Sequence, residues 1–342
     1  MLTDRQIAEI RTYFSAKKKI TLTTHMNPDG DAIGSVIAMM HYLRKKGHEV
    51  KAVIPNNFPR FYSWLPGSDE LIVYEKQVAA AKAALNEAEM IFLLDFNAFN
   101  RVGQMSELLK SAPGKKFLID HHISPEEGFD YYFSTTETSS TGELVYDFME
   151  ITGDLALLDR DIAAALYVSI MTDTGSFSFA SNHPKTYYVA AALIEQGIDA
   201  ERIHRLVYDT FSENRLRLLG YAISERLLVW PHLHTAVIYL TKEDLKKFNY
   251  QVGDTEGIVN YPLSMAGVNL SVLITEKDRK IKLSLRSKGE FSVNDLARSY
   301  FNGGGHRNAA GGHVYDTVEL TIEKLKSVLE KYKEELNYKL SY

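Results

Sequence analysis

Through the first half of the chain, short apolar runs rich in β-branched residues alternate with stretches of helical apolar periodicity. ITLTT (20–24), VKAVIP (50–55), MIFLLDF (90–96) and KFLIDHH (116–122) read as strands. DAIGSVIAMMHYLRKKG (31–47) and the alanine-rich stretch around 77–87 read as the intervening helices. Buried strands alternating with helices predict an α/β fold whose N-terminal sheet is doubly wound and mostly parallel. Such sheets bind ligands at the carboxyl ends of their strands.

From about 140 to 226 the pattern is mostly helical, and its last two segments are polar enough to bridge two domains. After Leu227 the period changes again: TAVIYL, NLSVLITE and KIKLSLRS read as strands, then come a helix near 293–301, a glycine-rich turn and a closing helix. These shifts predict an N-terminal domain over 1–195, a helical linker over 196–226 and a smaller α/β domain with a mixed sheet over 227–342. The length, 342 residues, suits two domains that each bury a core.

Composition narrows the chemistry. There is no cysteine, so thiolate metal sites, iron–sulfur clusters and cysteine nucleophiles are excluded. A metal would be held by imidazole and carboxylate, which suits Mn²⁺, Mg²⁺, Fe²⁺ or Zn²⁺. The formal charge of −5, from 39 Lys+Arg against 44 Asp+Glu, argues against coating long duplex nucleic acid but leaves room for a local basic pocket. No apolar run approaches the roughly 18 residues of a membrane span, and the charged start MLTDRQIAEIRTYF lacks a signal-peptide core. A cytoplasmic location is the expectation.

Four clusters carry candidate chemistry. THMNPDGDAIGS (24–35) follows a strand and opens a helix, so His25, Asp29 and Asp31 either meet at a ligand site or cap a helix after an ordinary turn. Asp95 ends an apolar strand, where a carboxylate is costly unless paired or metal-bound. Asp120-His121-His122 ends another; if both histidines lie on the strand they point to opposite faces. Asp173 closes an alanine-rich helix. Each has a bland structural explanation alone. Their coincidence at three strand ends and one helix end fits a dinuclear hard-metal centre, whose two cations clamp a phosphoryl group. In the second half, GGGH (303–306) reads as a glycine-rich turn, or as one whose amides approach an anion closely beside Arg286 and Ser287.

With THMNPDGDAIGS, LLDF, IDHH and TDTGSF in order, and LRSKGEFSVNDLARSYFNGGGHRNAAGG (285–312) in the second half, the sequence resembles the DHH phosphoesterase family with its DHH-associated C-terminal domain. TSSTGELVYD (138–147), length and spacing resemble the bifunctional branch, which degrades short oligoribonucleotides and dephosphorylates 3′-phosphoadenosine 5′-phosphate (pAp). The resemblance implies that His25, Asp29 and Asp95 hold one metal, and that Asp31, Asp95, His121 and Asp173 hold the other. It implies two divalent ions, usually Mn²⁺, with Asp120 orienting a histidine and His122 facing the scissile phosphate. Arg286, Ser287, Gly303, Gly304, Gly305 and His306 are implied to grip the nucleotide, while Arg101 is expected near the phosphate.

These readings converge on a phosphohydrolase in which a metal-bridging hydroxide attacks phosphorus, releasing nucleoside 5′-monophosphates from short RNA and AMP from pAp. The rivals are a phosphodiesterase for cyclic or linear dinucleotides and a catalytically silent nucleotide sensor. Short RNA and pAp are the expected partners, without membrane or long duplex. The sequence leaves oligomeric state open, a homodimer included.

Overall fold

The computed structural model describes residues 2–337 except 180 and 278–279, so the last five residues of the expected C-terminal domain lie outside it. The chain divides into two compact units, Met1–Thr210 and Phe211–Tyr342.

The first unit runs α1 (Asp4–Tyr13), β1 (Lys19–Thr24), α2 (Gly30–Lys45), β2 (Glu49–Ile54), β3 (Ile72–Val73), α3 (Val78–Glu87), β4 (Met90–Leu94), α4 (Ser106–Ser111), β5 (Lys115–Asp120), β6 (Tyr131–Ser134), then α5 (Thr141–Thr152), α6 (Arg160–Asp173), α7 (Pro184–Glu195) and α8 (Ala200–Tyr208). All six strands are parallel, in the order β3-β2-β1-β4-β5-β6. Strand alternation divides the core between the two faces: on β4, Met90, Phe92 and Leu94 join α2, α5 and α6, whereas Ile91 and Leu93 join α3 and α4. The order reverses between β1 and β4, and a crevice at the carboxyl ends of two such strands is where an open α/β sheet binds its ligand.

Glycines let the helices behind that crevice pack closely. A Cβ on Gly34 of α2 would collide with the Ala165 carbonyl and Ser169 of α6, and one on Gly142 of α5 with the Ser169 hydroxyl.

The second unit runs α9 (Glu213–Glu225), β7 (Leu227–Trp230), β8 (Thr235–Leu240), α10 (Lys242–Lys247), β9 (Leu270–Lys277), β10 (Lys280–Ser287), α11 (Val293–Tyr300), β11 (Gly304–Gly305), β12 (Ala309–Val314) and α12 (Val318–Leu329). Its sheet has the order β11-β12-β10-β9-β8-β7 and is mixed, β8 and β9 being its parallel pair. Ile281, Leu283 and Leu285 of β10 face α11 and α12. On the opposite face, Ile238, Leu240 and Leu273 pack with Leu218 and Ala222 of α9.

Several elements differ from the sequence reading. The boundary at Thr210 falls inside the segment read as a linker, whose two helices are α8 of the first unit and α9 of the second. β3 and β6 are short edge strands with no clear apolar period, and AAGGHV, read within a glycine-rich turn, is strand β12. The closing helix stops being α-helical at Leu329 and tightens into a 3₁₀ turn, Glu330–Tyr332.

Candidate metal centre

The turn after β1 places the first group. Asn27 adopts a left-handed φ of 58° before Pro28, which returns Asp29 to the start of α2. Asp29 caps that helix by accepting from the Ala32 N–H at 3.2 Å, and the same oxygen lies 3.8 Å from His25 Nε2. Cap and site are therefore the same carboxylate. His25 Nδ1 lies 3.0 Å from the Met26 carbonyl, which turns Nε2 inward to 3.3 Å from Asp95 Oδ2.

Asp95 leaves β4 with φ 66°, its N–H donating to the Ile119 carbonyl of β5 at 3.1 Å. A non-glycine residue held there stores strain that the surrounding structure must support. It is 2% exposed. Asp31 is equally buried and accepts from the Thr141 N–H (2.8 Å), the Gly142 N–H (3.0 Å), the Ser35 hydroxyl (3.2 Å) and the Ser169 hydroxyl. The amino terminus of α5 thus holds one carboxylate of the cluster. The Thr141 hydroxyl donates to Asp95 Oδ1 at 3.0 Å, so one residue ties Asp31 to Asp95.

The tandem histidines correct one expectation. β5 ends at Asp120, so His121 and His122 lie beyond the pleat and do not alternate. Both rings approach Asp95: His121 Nε2 is 3.5 Å from Oδ1 and His122 Nδ1 is 3.8 Å from it. His121 Nε2 also lies 3.4 Å from Asp31 Oδ2 and 3.5 Å from Asp173 Oδ2 at the end of α6. Asp120, fully buried, has Oδ1 2.7 Å from His122 Nδ1 and accepts from the His122 N–H at 3.1 Å. Arg101 sits in the 3₁₀ turn Phe99–Met105, where its carbonyl accepts from the Met26 N–H at 2.7 Å.

Charge in the cluster is uneven. Burial raises Asp31 well above the usual carboxylate range, and the Asp95 charge adds to this. Burial opposes ionisation of Asp95 too, but hydrogen bonds from His121 and His25 hold it well below that range. Burial works against charge on His25, yet Asp29 and Asp95 outweigh it and raise the imidazole to about 10. Burial likewise opposes charge on His121, which Asp173, Asp95 and Asp31 bring to about 10. The cluster therefore demands positive charge. Burial pushes Asp120 up to about 7 and His122 well down, the latter with help from Arg101, so His122 is the neutral imidazole of the set.

Among the described residues of this unit, three groups have ligand atoms mutually within 4.8 Å: His25, Asp29 and Asp95; Asp31, His121 and Asp173; and Asp95, Asp120 and His122. Buried carboxylate oxygens and imidazole nitrogens form a donor set that fits hard divalent cations. A depression of about 390 Å³ beside His122 is lined by Ser124, Tyr132, Ser134, Thr135 and Thr136. Sequence reading missed Thr141, Ser35 and Ser169 because each passes for an ordinary helix residue. The available signal was Thr138–Asp147, read only as a mark of resemblance.

In the second unit the GGGH loop behaves differently from its sequence reading. The Gly303 N–H donates to the Ala297 carbonyl (3.1 Å), Gly305 to Asn294 Oδ1 (2.9 Å) and His306 to the Ala309 carbonyl (2.7 Å). The Gly303 and Gly305 amides are thus engaged by α11, and the His306 amide by β12. Side chains added at Gly303 and Gly305 would strike the backbone of β12, so the glycines serve close packing. The Ser287 hydroxyl donates to the Phe291 carbonyl at 2.7 Å and accepts from Asn308 at 2.9 Å. Arg286 lies on β10 opposite Ala309, and Arg307 pairs with Glu290.

A doubly wound parallel sheet with a buried carboxylate–imidazole cluster at its reversal point defines an α/β protein built around a candidate hard-metal centre. The chain belongs to the DHH family: residues 19–170 match the DHH family, N-terminal domain, and residues 233–337 match the DHHA1 domain. It is 29% identical to the bifunctional oligoribonuclease and PAP phosphatase NrnA of Thermus thermophilus, over 97% of this chain and 94% of that protein. Against the Bacillus subtilis protein of the same name the identity is 26%, over 94% and 98%. A crystal structure of an exopolyphosphatase-related protein from Bacteroides fragilis superposes with a TM-score of 0.91, at 41% identity, over 98% of this chain and all of that one.

Proposed function

We propose that the protein is a metal-dependent phosphohydrolase that cleaves short oligoribonucleotides to nucleoside 5′-monophosphates and dephosphorylates pAp to AMP. The observation that carries this reading is the convergence of His25, His121, His122 and four aspartates around Asp95, in a chain similar over nearly its whole length to two proteins named for those activities.

His25, Asp29 and Asp95 would hold one divalent cation, and Asp31, Asp95, His121 and Asp173 a second, Mn²⁺ being the ion we favour. Bound there, the cations would supply a nucleophile from water at neutral pH and neutralise the phosphoryl oxygens. Asp120 fixes the His122 ring through Nδ1, so that the ring would face the substrate as a neutral imidazole. Arg101 adds a permanent positive charge near that ring. In the second unit, with the Gly303 and Gly305 amides engaged, Arg286 and His306 are the side chains that would grip the nucleotide. Both substrates break the same kind of bond, O3′–P, and both release a nucleotide carrying a 5′-phosphate. One pocket for that nucleotide therefore serves both reactions, and an enzyme of RNA turnover belongs in the cytoplasm.

The test is turnover with Mn²⁺ or Mg²⁺ of pAp, a 5′-phosphorylated dinucleotide and a cyclic dinucleotide. The reading expects AMP from pAp and 5′-monophosphates from the linear dinucleotide. Cleavage of the cyclic substrate alone, or of none, would overturn it.

A further inference from the structure

The carboxyl edge of the parallel sheet continues past the metal cluster. Asp120 ends β5 and pairs in register with Ser134, which ends β6, and the depression of about 390 Å³ beside His122 opens at the tips of these two strands. Neighbouring strands lie about 4.8 Å apart, which puts the tip of β6 roughly 10 Å across the sheet from the tip of β4, where Asp95 follows.

One wall of the depression is the segment after the tandem histidines, and it is held fast. Ser124 takes a left-handed φ of 53°, turning the chain off the line of β5. The Ile123 carbonyl accepts from Asn97 Nδ2 at 2.7 Å, the Glu126 N–H donates to the Asn97 carbonyl at 2.7 Å, and Glu126 Oε2 accepts from the Phe99 N–H at 2.8 Å. Asn97 is buried two residues past Asp95, so this wall is braced by the loop that carries the central carboxylate. The other wall is Tyr132 with the turn after β6. The Tyr132 hydroxyl donates to the Glu126 carbonyl and accepts from the Phe129 N–H, both at 3.2 Å, which fixes the ring in place.

The lining is neutral. Ile123, Pro125 and the Tyr132 ring supply apolar surface, while Ser134, Thr135 and Thr136 supply hydroxyls. Among the described residues none bonds to the Ser134 or Thr136 hydroxyl, and the Thr135 hydroxyl accepts from the Glu137 N–H at 3.1 Å, which leaves its proton to donate. No lining side chain carries a fixed charge, and burial and Arg101 keep the His122 imidazole neutral. A second phosphate would find no counter-charge here. A ribose with hydroxyls of its own, and a base with a flat apolar face, would find both kinds of partner.

Hydrolysis at O3′–P has unlike groups on the two sides of phosphorus. One nucleotide leaves with its 3′-oxygen in either substrate. In RNA the phosphorus keeps the 5′-oxygen of the next nucleoside, whereas in pAp it carries nothing further. We propose that the depression is the subsite for the ribose and base on the phosphorus side of the scissile bond, filled by an RNA substrate and unused when pAp is cleaved. The inference rests on the reading of both compounds as substrates and names what distinguishes them: a shared metal cluster, and a subsite that RNA alone reaches.

Ser134→Leu tests this by filling the depression, and Ser134→Ala by removing one hydroxyl. The substrates are pAp and the 5′-phosphorylated dinucleotide pApA, each with Mn²⁺ and the full chain. Ser134→Leu is expected to lower kcat/KM for pApA about tenfold, mainly by raising KM, as a loss of uniform binding does. Its turnover of pAp should stay within about twofold of wild type, which also reports an intact fold and metal site. Ser134→Ala should lower kcat/KM for pApA about threefold, the size of one ordinary hydrogen bond, and spare pAp. Equal losses on the two substrates, or an undiminished rate on pApA in Ser134→Leu, would overturn the subsite. If the wild-type chain failed to hydrolyse pApA, affinity would decide. Tighter binding of pApA than of pAp, lost in Ser134→Leu, would overturn the proposed activity on RNA and leave the subsite standing; equal affinities would overturn both.

Discussion

Thr141 reaches two carboxylates at once, through its N–H to Asp31 and its hydroxyl to Asp95. Substitution leaves the first bond and removes the second, so Thr141→Val isolates what the hydroxyl does for Asp95. Outer-shell partners of this kind are worth about 10–100-fold in metal affinity or activity. We expect that loss in Mn²⁺ affinity by calorimetry, near-complete recovery in Thr141→Ser, and little change in unfolding temperature. Equal metal affinity in the valine variant would remove Thr141 from the site. Asp95→Asn tests the shared ligand more severely: turnover should fall by about 10³ or more, since both proposed cations lose a charged oxygen. The aspartates and histidines were legible in the sequence because charge at the end of an apolar strand is expensive and needs a reason. Thr141 and Ser169 were not, because a hydroxyl on a helix costs nothing and gives no sign of where it points.

Helices behind the crevice touch at glycines, and the chain there has no slack. Gly34→Ala would drive a methyl group into the Ala165 carbonyl and Ser169, and overpacking of this kind costs roughly 1–3 kcal/mol. Because Ser169 also donates to Asp31, we expect a lower unfolding temperature together with weakened Mn²⁺ binding. In the C-terminal unit, α10 is fastened by Asp244, which takes both Nε and Nη2 of Arg226 at 2.9 Å and the Tyr221 hydroxyl at 2.8 Å. Burial would raise Asp244, but Arg226, the Thr241 N–H and Tyr221 outweigh it and lower the carboxyl to about 2. A depressed carboxyl stabilises the fold above its unfolded value near 4, and that contribution disappears as pH falls towards 2. Asp244→Asn should therefore lower the unfolding temperature near pH 6 and flatten its decline below pH 4. A parallel decline in both proteins would contradict this. The central strands and long helices were legible from apolar period alone. Edge strands β3 and β6 were not, since pairing on one side erases the period, and neither was the internal strand β12, whose glycines do the same. The histidines beyond β5 show the same limit, because where a strand stops decides whether neighbours diverge or converge.

At the scale of the whole molecule, the family, the sheet classes and the clustering of chemistry at strand ends were legible because they follow from long periodic segments and ordered motifs. The division at Thr210 was not, because a polar helix looks alike whether it bridges two units or packs on one. Neither was the inward use of the Gly303 and Gly305 amides, since glycine permits both close packing and anion binding and the sequence does not choose. If the cluster around Asp95 is a metal centre, its buried carboxylates should make stability depend on cations. Chelation should lower the unfolding temperature of the wild-type chain and much less that of Asp95→Asn, with Mn²⁺ restoring the first. The central claim is that this cluster hydrolyses O3′–P bonds, and product analysis of pAp incubated with Mn²⁺ and ¹⁸O-labelled water tests it most directly. The account predicts unlabelled AMP with one labelled oxygen in the released phosphate, and loss of the reaction in Asp95→Asn. Label in AMP, or undiminished release by Asp95→Asn, would contradict it.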